Sequence, residues 1–177
     1  VQFLRDTDVS LESRDSLLLR LQYDTTYVEG DSSYKFAYFH RIYEMMKVRL
    51  IEGASNSYIG SELNTFYNNY IQDSINGNML DAYKRLLKYN QLNNVLESEL
   101  QYYHGEIEIN EMCRIMINNP VYDNINMNTF NFVNAAFDNL LFRYPTEYEF
   151  DQVYKMIDDN TAQIVLGSSG NNKEDFT

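Results

Sequence analysis

One cysteine, no tryptophan and two histidines in 177 residues leave few of the side chains from which common chemical sites are built. Cys113 is alone, so no intrachain disulfide forms. Its place in the apolar run of Met112, Ile115 and Met116 fits a small buried hydrophobe rather than a nucleophile. His40 and His104 stand in neither an H-x-x-x-H nor an H-E-x-x-H pattern, which removes the usual ligand frame for zinc. A His104–Cys113 dyad would need the segment after His104 to fold back on its predecessor. The chain contains no phosphate-binding glycine loop and no G-x-S-x-G elbow. The sequence therefore assigns no catalytic, metal-binding or cofactor-binding residue, and no cofactor.

Positive charge is also scarce, with 14 basic against 26 acidic residues and a net charge of −12. That balance opposes attraction to phosphate backbones, which excludes nucleic acid as an expected partner, and it opposes nonspecific attraction to anionic lipid. The deficit is uneven. Residues 1–88 hold 10 basic and 12 acidic side chains, net −2, whereas residues 89–177 hold 4 and 14, net −10. No apolar run approaches the roughly 20 residues needed to span a bilayer, so no transmembrane segment is expected. The chain starts at Val1 without a basic n-region or an apolar h-region, so a signal peptide or a lipid-bearing cysteine is expected only upstream of it.

What the sequence does have is helical periodicity, while strand signals are nearly absent. The region Asn128 to Asn160 is the clearest. Phe130, Val133, Phe137, Leu140 and Tyr144 recur at steps of three and four, which places them on one face of a helix. Pro145 ends that helix, and Thr146 with Glu149 forms a capping box that opens another, whose buried face is Phe150, Val153 and Ile157. Upstream, a helix is expected within Val9 to Tyr27. A long one follows, with Phe36, Phe39, Tyr43, Met46 and Leu50 on its main stripe and Tyr38, Ile42 and Met45 beside it. Ser55, Asn56 or Ser57 caps a third helix with Ile59, Leu63, Phe66 and Tyr70 inward, ended by Asn76 and Gly77. The longest runs from about Asn78 to Tyr103, with Met79, Tyr83 and Leu86, then Leu92, Leu96, Leu100 and Tyr103, as its stripes. His104 and Gly105 suit its C-terminus, and a short helix near Ile109 to Ile117 closes at Asn119 before Pro120. The Asn- and Asp-rich stretch Val121 to Met127 reads as turns.

The expected architecture is all-α: an irregular array of about six to seven helices with helix-corner-helix units. Residues 1–160 form one helical domain, with 1–105 and 106–160 as possible sub-units, and 161–177, which contains GSSGNNKEDF, read as a flexible tail or linker.

Other chemistry fails on inspection. Asn124, Asn126 and Asn128 imitate the opening of a calcium loop, but Thr129 stands where glycine is needed and Ala135 where glutamate is needed; Asp6, Asp8 and Ser10 fail similarly at Leu11 and Leu17. The pairs Glu97 with Glu99 and Glu147 with Asp151 are candidates for glycoside hydrolysis only if folding brings them together in a cleft. The 16 tyrosines carry more promise, because an aromatic face with a polar tip suits protein interfaces and sugar stacking. Tyr102, Tyr103 and Tyr122 flank loops and are the ones expected to be exposed. Arg143, at the 143–147 corner, joins them as a candidate partner-binding residue, with a local ion pair to Glu147 as the alternative.

The segment FDNLLFRYPTEYEF, Phe137 to Phe150, resembles a helix-corner-helix unit of secreted and envelope-associated helical proteins of bacteria, L-x-R-x-P-T-x-x-E in outline. The stretches RLIEGASNSYIGSEL, Arg49 to Leu63, and NPVYDNINMNTFNFVNAAFDNLLFRYPTEYEF, Asn119 to Phe150, resemble cell-envelope lipoproteins of the Bacteroidota type. The absence of any N-x-S/T acceptor among 21 asparagines agrees with a bacterial source. The resemblance implies an exported protein, lipid-anchored upstream of Val1, located in the periplasm or at the outer membrane and partnered by other envelope proteins. It carries over no catalytic residue. The expected function is a non-enzymatic helical interaction module of the cell envelope, such as an accessory or plug-like subunit of an outer-membrane transport or secretion complex. The rival expectations are a glycan-binding envelope lipoprotein and an envelope hydrolase using paired carboxylates.

Overall fold

The computed structural model describes residues 34–177, with side chains from Tyr38 onward; the helix expected within Val9 to Tyr27 and the Asp6–Ser10 series lie outside these residues, and the Phe36 side chain outside the described side chains. The described residues form an all-α fold of eight helices with one two-stranded hairpin. The helices are α1 (Tyr34–Leu50), α2 (Asn56–Ile75), α3 (Met79–His104), α4 (Ile109–Ile117), α5 (Pro120–Asn126), α6 (Thr129–Leu141), α7 (Glu147–Asp158) and α8 (Lys173–Phe176).

Helix α3 is the axis of the array: α2 packs along it, and α1, α4 and α5 also rest on it. The Tyr43 hydroxyl of α1 donates to the Val95 carbonyl at 3.2 Å in the interior, and Phe39 meets Tyr102 edge to face at 4.8 Å. The inward face of α3 runs through Ala82, Leu92, Val95, Ser98 and Tyr102, so of the expected stripes Leu92 is buried and Leu96 and Tyr103 are half-buried against the core. Met79, Tyr83 and Leu100 are exposed. This difference has a cause in the neighbours: α2 covers α3 from one side while α1, α4 and α5 approach it elsewhere, so a single apolar stripe does not mark its burial. Gly105 ends the helix in the left-handed conformation, φ 74°, as its position after His104 suggested.

A buried lysine joins α1 to α2. Lys47 is 2% exposed, and its ammonium donates to Glu44 Oε1 at 2.9 Å and Asn56 Oδ1 at 2.8 Å while lying over the Tyr43 ring. Paired and hydrogen-bonded in this way, the charge is tolerable inside. Asn119 plays the equivalent part between α4 and α5. Its Oδ1 accepts from the Val121 and Tyr122 amides and its Nδ2 donates to the Met116 and Ile115 carbonyls, so one side chain ends one helix and starts the next. With Pro120 in the first helical turn, this cap makes a helix of the stretch whose composition suggested turns.

The buried side chains form one cluster on both sides of Gly105, with Met112 and Met116 of α4 in the same core as Phe39 and Tyr102. The C-terminal segment corrects an expectation. Residues 161–177 are not a loop-like tail: Gln163–Val165 pairs antiparallel with Ser168–Gly170, and α8 follows, capped by Asn172. The fold carries this segment back because it has apolar anchors. Val165 is buried, and the Phe176 ring stacks on Phe137 at 5.8 Å.

Candidate functional site

Helix α6 stops at Leu141, and Phe142 caps it in the left-handed region, φ 56°, with its amide donating to the Asp138 carbonyl at 3.1 Å. The helix thus ends short of the expected Tyr144, and the chain turns outward before Pro145, whose ring disfavours helical backbone in the residue it follows. Two arginines fix the turn. Arg49, from α1, donates to the Asn139 and Asp138 carbonyls at 3.0 Å each, where the helix dipole is negative, and its guanidinium covers one face of the Phe142 ring at 4.2 Å.

Arg143 makes a two-pronged pair with Glu149, at 2.8 and 2.6 Å, rather than with Glu147, and its guanidinium lies 5.2 Å from the centre of the Phe137 ring. Glu149 accepts from the Thr146 amide at 2.8 Å, and the Thr146 hydroxyl accepts from the Glu149 amide at 3.3 Å, which completes the expected capping box. Arg143 first, and the Thr146 amide second, hold the Glu149 carboxyl well below the usual range, at about 2. The pair remains charged at neutral pH.

On this braced corner stand Phe142, Tyr144 and Tyr148, with exposures of 76%, 73% and 69%. Leu141 beside them is 42% exposed. Large apolar side chains held out in water by a rigid turn are what a partner surface can cover at low ordering cost.

Of the four residues expected to bind a partner, Arg143 lies in this corner. Tyr102 and Tyr122 do not bind at a surface: they are 7% and 1% exposed. Tyr102 packs on Phe39, and burial pushes its phenol up to about 12. Tyr122 meets Phe132 edge to face, and its hydroxyl accepts from Asn139. Loop proximity suggested exposure, but these loops are tight and their flanking residues face the core. Tyr103 is half-buried against Phe39. The sequence reading singles out neither Phe142 nor Tyr148, and it sets Tyr144 in the apolar stripe of α6. The readable signal was Pro145, which separates the residues around it from the α6 stripe.

The residues of the alternative chemistries have other surroundings. Cys113 Sγ points to Met46 Sδ at 3.6 Å and burial raises its pKa, whereas His104 lies exposed beside Tyr103. Glu97 accepts from Asn93 and Glu99 contacts His40 at 2.5 Å, while Glu147 and Asp151 are both exposed. Asn126 donates to the Tyr122 carbonyl and Asn128 caps α6, so two of the three asparagines in the calcium-like series serve the local backbone. Among the described residues no helix is long and apolar enough to cross a membrane.

The fold and this corner define an all-α protein with a braced, exposed aromatic surface. No protein-family model matches the chain, and comparisons with curated proteins and with solved structures find no match.

Proposed function

We propose that the protein is a non-enzymatic helical interaction module of the bacterial cell envelope, a subunit that binds another envelope protein through the corner at 141–148. The observation that carries this reading is the exposure of Phe142, Tyr144 and Tyr148 on a turn held by Arg49, Arg143 and Glu149. An interface of ordinary size covers about 800 Å² on each side and draws its energy from a few aromatic or arginine anchors. The corner supplies three aromatic anchors on a short stretch of chain. The placement in the envelope rests on the resemblance of Arg49 to Leu63 and Asn119 to Phe150 to Bacteroidota-type lipoproteins.

The test is the native size of the gently extracted protein. It should migrate in a complex much larger than 20.9 kDa, and Tyr144→Ser combined with Tyr148→Ser should release it without lowering the unfolding midpoint. A native protein that runs as a free monomer, while a glycan array gives saturable binding, would reject the proposal in favour of sugar recognition.

A further inference from the structure

A second apolar exposure lies at the turn between α2 and α3, on a different surface from the corner. Ile75, Met79 and Leu80 are 72%, 69% and 68% exposed, and Tyr83 is 58% exposed. Met79, Tyr83 and Leu87 follow one line along α3, with the exposed Leu80 on one flank and the buried Ala82 on the other. The turn is tight: the Asn78 amide donates to the Asp73 carbonyl at 2.8 Å, and Gly77 takes φ +77°. A side chain built on Gly77 would meet no atom within 4 Å, so the end of this hairpin stands clear of its surroundings.

Cations flank the apolar line. Lys84 and Lys88 follow on the adjoining side of α3, and Arg85 lies beyond them. Lys84 approaches Asp81 only to 3.8 Å and Arg85 approaches Asp73 only to 3.7 Å, loose surface pairs that hold their partners weakly. Residues 73–91 carry three basic and two acidic side chains, in a chain whose residues 89–177 alone carry a net −10. At physiological ionic strength charges are screened beyond about 8 Å, so distant acids do not cancel the field at the tip.

We propose that the end of the α2–α3 hairpin is a peripheral membrane contact, which sinks Met79, Leu80 and Tyr83 into the boundary region of a bilayer with anionic headgroups. Lys84 and Lys88 lie where long side chains reach headgroup phosphates while their stems stay in the apolar layer. One turn of helix, about 5.4 Å, fits the shallow depth at which interfacial helices lie. The charge of the tip selects the occupant, since an apolar end rimmed by lysines complements an anionic headgroup layer.

Co-sedimentation of the full chain with vesicles tests this directly. The protein should pellet with phosphatidylcholine/phosphatidylglycerol vesicles at physiological ionic strength, less with phosphatidylcholine alone, and less again as salt is raised further. Met79→Asp with Leu80→Asp should cut partitioning at least about tenfold. Lys84→Gln with Lys88→Gln should cut it roughly 25-fold, about fivefold for each lysine. All four side chains are exposed, so helicity and unfolding midpoint should be unchanged, and Tyr148→Ser should bind vesicles like the parent chain. Wild-type protein left in the supernatant of the mixed vesicles would overturn the proposal, as would tip variants that pellet like wild type. A lipid-free dimer abolished by the same tip variants would assign the surface to a second copy instead.

Discussion

Glu149 does three things with one carboxylate: it pairs with Arg143, closes the Thr146 cap and so fixes the angle at which α7 leaves the corner. Its titration therefore reports on the corner. In the unfolded chain the carboxyl takes up a proton near its ordinary 4.5, and in the folded protein only near 2. Between those values the unfolded state binds more protons, so the contribution of Glu149 is fully present above about pH 4.5 and is lost as pH falls towards 2. Glu149→Gln should be less stable than the parent at pH 7, and the difference should close across that window. Melting curves for the two proteins that stay a constant distance apart from pH 5 to pH 2 would show that the carboxylate does not brace the corner.

At the scale of elements, α6 is where the two halves of the account meet. Its inner side, Phe132, Val133, Ala136 and Phe137, is core, and its end carries the exposed aromatics. Phe137 is 1% exposed, stacked on Phe176 and covered by the Arg143 guanidinium. Phe137→Ala should cost roughly 3–5 kcal/mol in chemical denaturation, the usual range for a buried aromatic. Phe176→Ala, at a half-buried position, should cost less, and it should raise hydrogen exchange at the start of α8 and in the hairpin before it. A loss under about 1 kcal/mol for Phe137→Ala would contradict its place in the core.

The apolar spacing made α2, α4 and α7 readable, because each buries one face: Ile59, Leu63 and Phe66 in α2, Met112 and Met116 in α4, Val153 in α7. The same spacing misjudged α3 and the end of α6. Helix α3 has neighbours on several sides, and Phe142 ends α6 by a backbone conformation that a phenylalanine seldom adopts and that no spacing rule anticipates. The C-terminal segment misled through composition. Its glycines and asparagines form the hairpin and cap, while Val165 and Phe176 supply the anchoring. Of the candidate site, the Thr146–Glu149 cap was legible because its partners lie three residues apart, whereas Arg143 pairs with Glu149 and not with the Glu147 that the sequence offered. The contribution of Arg49 was not, because it reaches Asp138 and Asn139 from some 90 residues away.

At the scale of the molecule, the corner and the hairpin tip both expose aromatic and apolar groups but differ in electrostatics. The corner lies in the strongly acidic half, and its own arginines are tied to carbonyls and to Glu149, so its outward character is aromatic. The hairpin tip lies in the nearly neutral half and presents lysines beside its apolar line. A subunit that meets one partner through the corner and a lipid surface through the tip would use both. The most direct measurement of the central claim is site-specific photo-crosslinking in cells, with a photoreactive phenylalanine analogue placed at Tyr148 and, as control, at Tyr67, which is also exposed but lies on α2. The account predicts one discrete protein adduct from position 148, abolished by Phe142→Ser, and none of that mass from position 67. Equal adducts from both positions, or none from position 148 with the protein at its native level, would contradict it.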